Sequence, residues 1–141
     1  MYPTDDEDRG LPAASAAEAA AALTVHSSAL HALSRVTHPV WIYDFDAQRV
    51  LWANGAGLTL WRADSPTALH DRPLGVGMSP GVDQRLRQFQ RDLEQSPDRT
   101  FTELWTFYPQ GVPTTQAIQL CAFVLSDGRM AALCQAQQPP A

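Results

Sequence analysis

The amino-acid sequence predicts an α+β domain: a five-stranded antiparallel sheet with helices inserted between strands 2 and 3, preceded by an N-terminal amphipathic helix. Three observations carry this reading. Two short β-branched and aromatic runs, "VWIYDF" (40–45) and "VLWAN" (50–54), come before any inserted helix. Three helix starts then follow in quick succession, marked by Asn54, by Ser65-Pro66 and by Ser79-Pro80. Three extended runs close the chain, and Asp127-Gly128 between the last two is a hairpin signal. Strands interrupted by a helical insertion imply one sheet whose inserted helices cover one face.

Taken in order, residues 1–13 are polar and acidic and are expected to be disordered. Residues 14–37 turn to alanine and leucine and predict a helix with two adjacent apolar stripes, one with Leu23, Leu30 and Leu33, the other with Val25 and Val36. Only one stripe can lie on the domain's own sheet, so these five residues are candidates for a dimer interface. The polar stretch 46–49 joins the first two strands as a hairpin turn. Asn54 caps "GAGLTLW", and Ser65-Pro66 opens a second short helix. A Gly- and Pro-rich loop, 71–81, leads into a longer helix over 79–95. Val82, Leu86, Phe89 and Leu93 form its buried face, with Arg85, Arg87 and Arg91 pointing mostly to water. Strands are expected over 100–109, 113–126 and 129–136, and residues 138–141 form a tail or the start of a linker.

Composition narrows the function. At 141 residues the chain is expected to be one domain. Its net charge of −5 owes −3 to Asp5, Asp6, Glu7 and Asp8 against Arg9, and its ten basic residues, all Arg, are scattered. No nucleic-acid surface is expected from that. No apolar run nears the ~18 residues of a membrane span, and the acidic N-terminus is unlike a secretory signal, so a cytoplasmic location away from membranes is expected. No Cys-x-x-Cys pair suggests zinc, and His26 and His31, five apart, share no helix face. "GVGMSPG" lacks the Lys of a phosphate loop and reads as a turn. Asp44 and Asp46 read as a solvated turn.

The element order, with "PVWIYD" from Pro39, "VLWANGAGLTLW" from Val50 and "LSDGRMAAL" from Leu125, resembles the PAS family of sensory domains over 38–137. The resemblance implies a non-enzymatic sensor or dimerisation module of a bacterial signalling protein, holding a small molecule between the sheet and helix 79–95. Trp61, Met78, Leu86, Phe89, Trp105 and Phe107 would line that pocket, for an apolar guest of unknown identity or none. A cysteinyl-flavin adduct is not expected, because the only cysteines, Cys121 and Cys134, lie on late strands. Haem is not expected either: helix 79–95 has no His, and His70 reads as an exposed helix end. The implied partners are a second copy and an output domain, a histidine kinase or cyclic-dinucleotide enzyme, in a longer chain or a separate protein.

Two further expectations come from the residues. A two-residue loop at Asp127-Gly128 would set Cys121 directly opposite Cys134, a candidate redox pair set against the simpler reading of two buried apolar thiols. The alternative function is a small cone-shaped α+β enzyme, isomerase-like, with an apolar pocket and Glu103 as base, although its helices would ordinarily come first.

Overall fold

In a computed structural model the described residues are 27–75 and 79–137. Helix α1 (Ser27–Ser34) leads into β1 (Val40–Asp44) and β2 (Arg49–Ala53). Three helices follow, α2 (Gly55–Trp61), α3 (Pro66–His70) and α4 (Pro80–Gln95). The chain then forms β3 (Thr100–Phe107), a 3-10 turn (Pro109–Gly111), β4 (Thr114–Val124) and β5 (Met130–Ala136). The strands make one five-stranded antiparallel sheet, as the sequence predicts, and their order in it is β2-β1-β5-β4-β3. The expected tails, Leu23, Val25 and Met78 lie outside the described residues.

The helix starts are local and form as expected. Asn54, Ser65 and Ser79 each accept a backbone N–H three residues on, from Gly57, Ala68 and Val82. Pro66 and Pro80 occupy the first helical position, where no N–H is needed. The end of α2 is closed from a distance: Arg62 turns left-handed (φ 54°), and Arg72 donates to the carbonyls of Trp61 and Arg62 at 2.6 Å each.

Both sheet faces are used. On the inner face Trp41, Tyr43, Val50, Ile118, Leu120, Ala132 and Cys134 meet Leu60, Leu69, Phe89 and Leu93 of the inserted helices. On the outer face Leu30 and Leu33 of α1 pack against Ile42, Leu51, Leu125 and Ala131. Those two leucines therefore cover their own sheet. Val36 lies past the end of α1, because the chain turns extended toward Pro39 and Asn54 takes its carbonyl. The buried face of α4 is shorter than the periodicity implies: Phe89 and Leu93 are buried, but Val82 is half exposed.

The last hairpin differs from expectation. Gly128 donates to the Leu125 carbonyl, Leu125 donates to the Arg129 carbonyl, and Gly128 is left-handed at φ 89°. The loop is thus the three residues 126–128 rather than two, a turn followed by a left-handed glycine. The register moves by one, pairing Cys121 with Leu133 and Leu120 with Cys134. Because side chains alternate along a strand, the two cysteines lie on opposite faces. Cys134 is in the inner core and Cys121 is half-buried on the outer side.

Candidate functional site

Between the inner face and α4 lies a partly open cavity of about 730 Å³. Its floor is aromatic, for a reason set by the strands. Trp41 and Tyr43 on β1, and Trp105 and Phe107 on β3, occupy alternate, inward-facing positions. Trp61, the last residue of α2, meets Trp41 edge-on with centroids 5.7 Å apart and lies tilted against Phe107 at 4.8 Å. Leu86 of α4 and Leu74 of the preceding loop supply the opposite wall. Of the predicted lining residues, Trp61, Leu86, Trp105 and Phe107 are brought together here. Phe89 is not: it is buried below, packed on Phe101 at 5.4 Å and Trp105 at 6.2 Å.

The polar groups of the cavity are few. Glu103, inward-facing on β3, is bonded to Arg85, whose side chain stays half exposed on α4, as predicted, while its guanidinium reaches across to the strand. The Trp105 indole also donates to Glu103, at 3.3 Å. The hydrogen bond from Arg85 holds the Glu103 carboxyl below its ordinary range against the opposing effect of burial. A general base working near neutrality needs the opposite shift, so the geometry gives the isomerase reading no support. Burial pushes the Tyr43 phenol up to about 12 and raises the Cys134 thiol as well, so both stay protonated. The Trp61 indole N–H is buried with no hydrogen-bond partner among the described residues.

Two other predicted positions come out differently. The His70 side chain is 21% exposed rather than free in solvent, with Nδ1 buried 3.7 Å from an Asp71 carboxylate oxygen, and it does not line the cavity. Asp44 is buried rather than solvated, because Arg129 bonds both its oxygens at 3.0 and 3.1 Å and also reaches Asp46 and Asp127. No cluster of three potential metal ligands occurs among the described residues. No helix among them is long and apolar enough to cross a membrane.

The fold has counterparts among solved structures. The PAS domain of nitrogen regulation protein NR(II) from Vibrio parahaemolyticus aligns with a TM-score of 0.55 at 14% identity, over 79% of this chain and 98% of that one. The chain has a PAS-like fold. The E. coli DhaR(N)-DhaL complex aligns with a TM-score of 0.55 at 18% identity, over 80% of this chain but 36% of that one. An RNA-binding light-oxygen-voltage receptor gives 0.52 at 18%, over 79% and 32%. No protein-family model and no curated protein matches the sequence.

Within this PAS-like frame, the residues that sequence reasoning missed are those fixed at long range. Trp41 and Tyr43 could have been found by extending the inward alternation from β3 to β1. Arg85 carried no such signal, since its partner lies on another element.

Proposed function

We propose that the chain is a non-enzymatic PAS-type sensory module that takes a small, mostly apolar molecule into this cavity and acts in the cytoplasm as a homodimer. The observation that carries the reading is the cavity, whose roughly 730 Å³ falls within the ~300–1,000 Å³ span of small-molecule sites and whose floor is aromatic. A change there has a route outward through Asn54. Its side chain bonds Val40 N–H in the sheet at 3.0 Å and the carbonyls of Val36 and His38 at 2.9 Å each, just after α1. The output domain would be a histidine kinase or cyclic-dinucleotide enzyme, in a longer chain or as a separate protein. Solved PAS-like neighbours that come from a nitrogen regulation protein and from a complex with DhaL support a protein partner in general.

Native mass spectrometry of protein from cells tests ligand and assembly together. A dimer that retains a small molecule supports the proposal. Tryptophan emission insensitive to every apolar candidate, with an empty monomer in the spectrum, would overturn it. Removing residues 1–36 should give a monomer or a poorly soluble chain in sedimentation, since Leu30 and Leu33 also cover the sheet.

A further inference from the structure

We propose that the pair formed by Glu103 and Arg85 sets the charge selectivity of the cavity, so that it accepts uncharged aromatic-sized ligands and rejects anionic ones. This rests on the ligand-binding reading above and names the chemical class that the site takes. Among the described lining residues, Arg85 and Glu103 are the only ones that carry a formal charge, and they are bonded to each other. The remaining described lining residues are apolar or, like Tyr43, Ser79, Thr106, Tyr108 and Cys134, neutral in their protonated forms.

The position of Glu103 is unusual for a surface ion pair. It lies on the inward register of β3, between Phe101 and Trp105, with its side chain 32% exposed, and the indole N–H of Trp105 orients one of its oxygens. Arg85 is held from its other side as well, with its guanidinium 4.4 Å from the centre of the Phe89 ring. An anion entering the cavity would find its natural partner, Arg85, already occupied. To take that guanidinium, itself half exposed, it must displace Glu103 and stand as a second anion beside that carboxylate. A neutral ligand meets only aromatic and aliphatic surface, and leaves the pair intact.

The test uses two fluorophores with one skeleton, phenylnaphthylamine, which is neutral, and anilinonaphthalene sulfonate, which is anionic. Both are titrated into the full 141-residue chain at fixed ionic strength, with the ratio of their affinities as readout. The wild type should favour the neutral probe at least tenfold. Glu103→Gln frees Arg85 and should shift the ratio about tenfold toward the anion. Arg85→Met leaves Glu103 unpaired and should shift it the other way. General loosening of the fold would instead move both variants toward the anionic dye. A ratio that stays within twofold in Glu103→Gln, or moves in the same direction in both variants, overturns the proposal while leaving ligand binding intact. A wild type that binds neither probe overturns the ligand-binding reading and this one with it.

Discussion

Replacing Asn54 by alanine tests whether one buried amide ties the chain after α1 to the sheet. Asn54 is 2% exposed, and its Oδ1 accepts from Gly57 N at 2.8 Å and Val40 N at 3.0 Å. Its Nδ2 donates to the Val36 and His38 carbonyls. Alanine removes the cap of α2, at about 1 kcal/mol. It also strands the buried Val40 N–H, at roughly 1–3 kcal/mol. The two carbonyls are only partly buried and can turn to water, so they add little. The expected loss is about 3 kcal/mol by urea unfolding, or roughly 12 °C in Tm at ~4 °C per kcal/mol for a chain of this size. Asn54→Asp separates the two halves of the side chain, keeping an oxygen to accept from both N–H groups while losing the donor. Hydrogen exchange in α1 should therefore quicken in Asp as well as in Ala. A loss under about 1 kcal/mol in Ala, with α1 exchange unchanged in both variants, would refute the coupling.

Gly57→Ala should be worse than Gly128→Ala in the same urea assay. A Cβ at 57 would stand 2.8 Å from the Val40 carbonyl oxygen, whereas at 128 it meets nothing within 4 Å and only the left-handed backbone resists, at about 1 kcal/mol. Thiol titration of native protein should find Cys121 slow and Cys134 silent until unfolding, because burial raises both thiols and Cys134 is fully enclosed. Mild oxidant should form no bond between them, and a loss of two thiols with no change in oligomeric state would show that the register is wrong. Phenolate absorbance should show Tyr43 titrating near pH 12. Between about pH 10 and 12 the unfolded state has lost a proton that the folded state keeps, so stability should fall with rising pH there. A flat stability profile across that window would contradict the burial of the phenol.

The sequence by itself determined the elements and their order. Asn54, Ser65 and Ser79 cap helices by bonds to residues three positions on, and alternation along β3 sorts Phe101, Glu103, Trp105 and Phe107 onto one face, so both signals are complete within a few residues. Tertiary structure decided what lies across space. One extra loop residue, set by the left-handed Gly128, moved Cys121 and Cys134 to opposite faces, since a strand's side chains repeat every two residues. Arg85 gained a partner because a carboxylate from a strand that follows it stands within its reach, and Asp44 is buried because Arg129, far along the chain, arrives to pair with it. Such pairings depend on where the sheet sets two distant segments, and no spacing within either segment encodes that placement.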